Sequence, residues 1–425
     1  MKRFFIAIVL CSPVFLYAQK KLQSIVNATA VERIEKILSS DSLKGRKVFT
    51  PDIEKAADFI SSEFKKAGLV PFNGAQDYRQ SFSMLKAKLL SMQVRVDGAT
   101  VTEGNAVVIS PQEDVNITEQ SSFEKITIGA KDNFFGAALN AMQGSKNTIV
   151  FADSSFQKNF SRLARFARQI FSTSATVVFI ASKNIPQHYS ITAKQSFERM
   201  PLSNIVGVLP GKTRPNEYVI FSGHYDHLGI GKPINGDSIY NGANDDAAGT
   251  TAVIMLAKYF KAMHNNARSI IFAAFTAEEI GEYGSAYFGK QFSNPDQVKA
   301  MFNIEMIGTE SKWGKNSAYI TGFEKTDMGK ILQQNLTGSN FAFYPDPYTA
   351  QNLFYRSDNA TLARLGVPAH TISTSKMDNE PNYHKPSDEI STLDMKNMAE
   401  IIKSIAISSA TIVSGKDTPT RVAKE

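Results

Sequence analysis

The chain has a single cysteine, Cys11, and it falls inside an apolar N-terminal stretch. Once that stretch is removed no thiol remains, so disulfides add nothing and stability must come from packing and from any bound metal. Long apolar runs are missing too. The apolar part of the first eighteen residues, MKRFFIAIVLCSPVFLYA, is shorter than the ~20 residues of a membrane span. Lys2 and Arg3 precede it, and Ala18 stands before the polar Gln19-Lys20-Lys21, which predicts a cleaved secretory signal over residues 1–18. Cys11 follows Leu10 rather than a small residue, which argues against a lipoprotein site. The expected location is the periplasm or the extracellular space, with no stable membrane span after cleavage. A large charge of one sign is also lacking: the formal net charge of +7 becomes +5 when Lys2 and Arg3 leave with no acid. No dense Lys/Arg stripe and no base-stacking motif accompany that excess, so no nucleic-acid partner is expected. Internal repeats and low-complexity segments are absent as well.

What is present is an ordinary globular composition, 43% hydrophobic over 425 residues, enough for one large core and an appended module. Over residues 31–69, apolar residues at three and four spacing predict two amphipathic helices, with Asp52 and Glu54 opening the second and Gly68 closing it. Short strands follow, "YRQSFSM", "LLSMQVRVDG", "NAVVIS", "NTIVFAD" and "ATVVFIAS", with one helix at "SRLARFARQIF". They read as a small α/β module over residues 86–197. After Asn204 the texture changes to long strands ("EYVIFSGH", "RSIIFAAFT", "VKAMFNIEMIG", "VPAHTIS") alternating with helices ("DDAAGTTAVIMLAKYFKAM", "ATLARLG", "LDMKNMAEIIKSIAISSATIV"). That alternation predicts an α/β sheet covered on both faces, with function at the carboxyl ends of its strands.

Those ends carry an unusual load. "IIFAAFTAEEIGEYGSAYF" runs from an apolar strand straight into Glu278 and Glu279, a poor place for two carboxylates unless something there requires them. Another strand ends in Gly223-His224-Tyr225-Asp226-His227, the next loop reaches Asn244-Asp245-Asp246, "NIEMIG" carries Glu305, and Tyr383-His384 precedes the final helix. Singly, each has a bland explanation: a lone loop histidine is usually a surface residue, Asp245 or Asp246 an N-cap, Glu305 the partner of a lysine. Jointly, five elements placing acids and imidazoles at one edge form a nitrogen and oxygen ligand set that suits zinc, and without a cation they would repel.

Six blocks in order, "SGHYDHLG", "NGANDDAAGT", "AFTAEEIGEYGS", "FNIEMIG", "YRSDNATLARLGVPA" and "YHKPSDE", resemble the signature blocks of the co-catalytic zinc aminopeptidases of metallopeptidase family 28. The resemblance covers residues 199–413 well and residues 31–84 more loosely. It implies a three-layer αβα zinc exopeptidase fold with a mostly parallel mixed sheet. Residues 86–197 fall where many relatives carry an inserted protease-associated or apical domain. The domains are then a signal peptide at 1–18, N-terminal helices and first strand at 19–85, the insertion at 86–197, the catalytic domain at 198–416 and a tail at 417–425.

The resemblance further implies two co-catalytic Zn2+ ions, with one ion as the alternative. Asp245 would bridge them, Glu279 and His384 would complete one site, and His224 and Glu305 the other. Asp226 would orient His224 from behind, Glu278 would be general base to a metal-activated water, and Tyr383 would stabilise the oxyanion. His227 is left without an assignment, with a surface or supporting role preferred to ligation. The implied activity is removal of N-terminal residues from peptides. Two positions depart from the common pattern: Glu305 stands where aspartate is usual, and Asn359 follows Ser357-Asp358 where histidine is common. The first leaves open a carboxypeptidase, dipeptidase or glutaminyl cyclase on the same scaffold, and an inactive receptor-like ectodomain is the remaining rival. Arg356 is a candidate for contacts to substrate carbonyl or carboxylate oxygens. Oligomeric state is not legible.

Overall fold

The computed structural model describes residues 20–102, 104–182 and 184–423, so the secretory signal expected over residues 1–18 lies outside the described residues. The chain forms two compact units, one being Phe82–Pro201 and the other built from the residues on either side of it. Among the described residues no helix is long and apolar enough to cross a membrane.

In the larger unit the two N-terminal helices are Ala28–Leu38 and Pro51–Ala67. The side chain of Asn27 caps the first by accepting from the Ala30 N–H at 3.0 Å. The second opens on proline with Asp52 and Glu54 in its first turn and stops at Gly68, whose φ of 76° suits a residue without Cβ. A central mixed sheet follows. Strand Arg214–His224 lies between Arg268–Phe275 and Val298–Ile304 and is parallel to both. Ala369–Ser373 extends the parallel run beyond Val298–Ile304, and Ser317–Ile320 joins it antiparallel. Ala342–Pro345, parallel to Ser317–Ile320, closes that edge. On the other side, residues Ile205–Leu209 pair antiparallel with the Arg268–Phe275 strand.

Alternation along these strands separates the two faces. Ile220, Ile271 and Met301 enter one buried cluster with Phe288 and Leu362. Their neighbours Phe221, Phe272 and Phe302 point the other way, and the Phe221 ring stacks on Phe260 of helix Ala248–Met263 at 5.3 Å. Helices therefore cover both faces, as the continuous apolar strands require. Because the chain leaves Arg214–His224 toward one neighbour and later returns on its other side, the strand order reverses at that strand. The crevice where ligands bind in such sheets opens at its carboxyl end.

Several boundaries differ from the sequence reading. "YRQSFSM" and "LLSMQVRVDG" are one strand, Arg79–Val96, since no glycine or proline interrupts it. The helix read from Asp245 begins at Ala248, and Asp245 and Asp246 have non-helical backbone ahead of it. Glu305 is not inside a strand: the strand ends at Ile304, and Met306 has φ of 51°. Part of "SRLARFARQIF" is a short strand, Gln169–Phe171, after helix Phe160–Phe166. The C-terminal residues through Val422 are held to the body, with Arg268 donating to the carbonyl of Asp417 at 2.7 Å and Val422 buried.

The smaller unit contains a four-stranded sheet in the order Ala106–Ile109, Val177–Ala181, Thr148–Ala152, Glu124–Ile128. Helices Phe134–Gln143 and Phe160–Phe166 contribute Phe134, Phe160 and Leu163 to its core.

Candidate metal centre

Three parallel strands end side by side, and each delivers chemistry just past its last apolar residue. His224 closes the middle strand with 1% of its surface exposed. Glu278 and Glu279 follow Phe275 by a tight turn through Ala277, whose φ is 60°. Glu305 is the first residue after Ile304. The turn before helix Ala248–Met263 contributes Asp245, and a loop after strand Ala369–Ser373 contributes His384.

Asp245 joins the two halves of the site. Its Oδ1 lies 3.2 Å from Nε2 of His224 and its Oδ2 3.2 Å from Nε2 of His384. Nε2 of His384 is also 3.2 Å from Glu279 Oε2. On the other side Nε2 of His224 is 3.8 Å from Glu305 Oε1 and 3.9 Å from Glu278 Oε2. Donors about 2.0–2.1 Å from one tetrahedral zinc stand about 3.3–3.4 Å apart, so these spacings leave room for a cation on each side of Asp245. His224 Nε2 is buried and has no hydrogen-bond partner, which is the condition of a ligand atom awaiting a metal. By this test the donor set fits zinc. His384 reaches the site from the rim, with 37% of its side chain exposed and a φ of 55°.

The sequence reading placed His227 at the surface or in support, and the surface option does not hold. Its side chain is fully buried, and its Nδ1 lies 2.7 Å from Glu279 Oε1 and 3.9 Å from Asp245 Oδ2. His227, Asp245 and Glu279 thus form a second compact trio beside His224, Asp245 and Glu305. Asp226 keeps its carboxylate beside His224, with Oδ1 3.7 Å from Nδ1, and also has a second set of partners. Nδ1 of His224 meets the backbone carbonyl of Asp226 at 3.1 Å, while the Asp226 carboxylate accepts the N–H groups of Glu278 and Glu279 at 3.1 and 3.4 Å. Asp226 therefore contacts both the two-glutamate turn and the His224 imidazole.

Two further carboxylates were given no part in the site by the sequence reading, Asp246 having been read only as a possible N-cap. Asp246 accepts from the N–H groups of His224, Gly249 and Met306 at 3.2, 2.9 and 3.0 Å, tying together the three segments that carry His224, Asp245 and Glu305. Asp388 accepts from the N–H groups of Asn244 and Asp245 at 2.8 and 3.0 Å. The only sequence signals were a second acid beside Asp245 and an acid four residues after His384. Asn359 is structural: its Nδ2 donates to the carbonyls of Phe354 and Ala369 and its Oδ1 accepts from Thr371.

The electrostatics separate the acids by role. Burial drives the Glu278 carboxyl well above its ordinary range and repulsion from Glu305, Asp358 and Glu279 adds to it, against the pull of His224. Burial would also raise Asp245, but the nearby His224, His227 and His384 imidazoles hold it far below normal. The Tyr383 phenol, stacked on the His384 ring at 3.9 Å, is pushed up by burial and by the surrounding carboxylates, so it remains a donor. Tyr383, Glu305 and Arg356 border a cavity of about 50 Å³ that Thr321, Thr371, Ser373 and Ser375 also line. Arg356 is exposed, and its Nη1 lies 3.4 Å from Gln351 Oε1.

Residues 204–408 match the profile of Peptidase family M28. A probable zinc metalloprotease of Pyricularia oryzae is 32% identical over 128 residues, 30% of this chain and 25% of that protein. Aminopeptidase YwaD of Bacillus subtilis is 23% identical over 212 residues, 48% of this chain and 44% of that protein. The chain therefore spans less than half the length of these curated relatives. Among solved structures, an aminopeptidase from Aneurinibacillus sp. strain AM-1 shares the fold, with a TM-score of 0.55 at 15% identity over 95% of this chain and 97% of that one. Residues 204–408, which carry His224, Asp245, Glu279, Glu305 and His384, are thus the part of the chain that is similar to peptidase family M28.

Proposed function

We propose that this protein is an exported zinc aminopeptidase that hydrolyses N-terminal residues from peptides. The observation that carries the reading is the Asp245 carboxylate, which turns one oxygen to each of two imidazoles and so suits a pair of ions. His224 and Glu305 would hold one zinc, Glu279 and His384 the other, with Asp245 between them. When bound, zinc would polarise the scissile carbonyl and ease deprotonation of water.

The chain's own groups do the rest. Glu278, 13% exposed and with its proton affinity raised, takes the proton of the attacking water at Oε2 and returns it to the departing amine. Tyr383 donates its phenolic proton toward the oxyanion of the tetrahedral state. The similarity of residues within 204–408 to aminopeptidases supports an N-terminal ammonium over a C-terminal carboxylate as the recognised end. Lys2, Arg3 and Ala18 support export.

Zinc per chain and the hydrolysis of free against N-acetylated peptides test the reading. The expected result is two zinc ions and cleavage that requires the free amine. Equal cleavage of acetylated peptides, or a requirement for a free C-terminal carboxylate, would refute it.

A further inference from the structure

Arg46 lies outside residues 204–408 and is fully buried, among the largest side chains with no exposure. Buried guanidinium groups usually face a carboxylate. Here the donors go to main-chain carbonyls instead: Nε to Tyr225 at 2.8 Å, Nη1 to Leu38 and Asn241 at 2.6 Å each, and Nη2 to Gly242 at 2.9 Å. The carbonyl of Arg46 in turn accepts the N–H of His227 at 3.2 Å. Tyr225 sits between His224 and Asp226, and Gly242 opens the turn that carries Asp245. One side chain from the N-terminal segment thus grips both main-chain stretches from which the Asp245–His224 pair projects.

The fit leaves little slack. Arg46 closes the turn Asp41–Arg46, and a Cβ on its neighbour Gly45 would come within 2.2 Å of the Tyr240 carbonyl oxygen. Nδ2 of Asn241 reaches back to the Ser39 carbonyl and to Asp41 Oδ1, both at 2.8 Å. The segment at 241–247 has no strand partner, so its carbonyls must find donors elsewhere, and Arg46 supplies them to Asn241 and Gly242.

We propose that Arg46 is a positioning residue for the metal centre. By fixing the backbone at Tyr225 and at Asn241–Gly242, it holds His224 and Asp245 at ligand spacing before any cation arrives, so metal binding does not have to order two loops. The proposal rests on the zinc reading above. Lysine cannot replace the fork, since one ammonium cannot satisfy four carbonyls in fixed directions.

The test uses the full chain, stripped of metal and titrated with zinc against a competing chelator. Arg46→Lys is expected to weaken zinc binding by about tenfold or more, the range seen when groups behind a ligand are lost. Leu336→Ala, a buried site away from the centre, serves as a control with a comparable fall in melting temperature and unchanged zinc affinity. A folded Arg46→Lys chain that binds zinc within twofold of wild type would overturn the proposal, as would equal weakening in the control. Should Arg46→Lys not fold, Asn241→Ala loosens the same clamp more gently, and unchanged zinc affinity there would overturn it too. Wild-type chain that binds no zinc would sink the metal reading itself, an outcome distinct from failure of the clamp.

Discussion

Nδ1 of His227 lies 2.7 Å from Oε1 of Glu279, inside the centre rather than on the surface. Glu279 therefore has an imidazole on each oxygen, since its Oε2 faces Nε2 of His384. The two histidines should not be equivalent. His384 offers its nitrogen 3.2 Å from both Asp245 and Glu279, whereas His227 is 3.9 Å from Asp245. His384→Ala is expected to lose one zinc per chain on elemental analysis. His227→Ala should retain both ions at saturation with affinity reduced about tenfold. The reverse ranking would reassign the second site.

Glu278→Gln keeps the size of the side chain and removes the proton acceptor. Zinc content should match wild type while kcat falls by about 10²- to 10⁴-fold, the usual worth of a positioned base. Elemental analysis beside steady-state kinetics separates the two effects. Activity within threefold of wild type would remove Glu278 from the mechanism.

The cavity beside Glu305 and Tyr383 is about 50 Å³, against the ~150 Å³ that holds a benzene ring. Peptides beginning with alanine or serine should therefore be cleaved with kcat/KM about tenfold or more above those beginning with leucine or phenylalanine. Met377 borders the cavity and is only half-buried, so Met377→Ala should narrow that gap by admitting larger side chains. A wild-type preference for leucine, unaltered in the variant, would show that the side-chain pocket lies elsewhere.

Glu63 offers a prediction about stability. Its carboxylate is covered and pairs with Arg33, Lys66 and Lys258. Burial alone would raise its pKa, but the hydrogen bonds from Arg33, Lys258 and Lys66 outweigh it and bring the group from 4.5 to about 2. A carboxyl lowered on folding stabilises the fold above its unfolded pKa and loses that effect as pH falls toward the folded value. The three cations are 24% to 63% exposed, which screens the pairs, so Glu63→Gln should cost about 1–2 kcal/mol at pH 7. In urea melts the difference should shrink between pH 5 and pH 2. A constant difference across that range would mean the charge is not what stabilises.

The core pattern was legible because it depends on spacing alone. Ile220, Phe221 and their counterparts on the two neighbouring strands alternate with period two whatever surrounds them, and the αL position at Gly68 is written in one residue. Strand ends were less legible. Glu305 looked internal to a strand, but the N–H of Met306 goes to Asp246, 60 residues earlier, so the ladder stops at Ile304. Local sequence carries no trace of a donor so far away.

Motif order by itself carried the resemblance to family M28, and the succession of strands and helices the α/β class and the roster of acids and imidazoles at the strand ends, since these follow from which residues are present and in what order. Which oxygen meets which nitrogen was decided only by the fold. The burial of His227, the turn of Asp226 toward Glu278 and Glu279, and the grip of Arg46 on Tyr225 and Gly242 all join residues far apart in the chain or depend on side-chain direction. Such contacts exist only once packing has brought separate segments to within hydrogen-bond reach, about 3 Å.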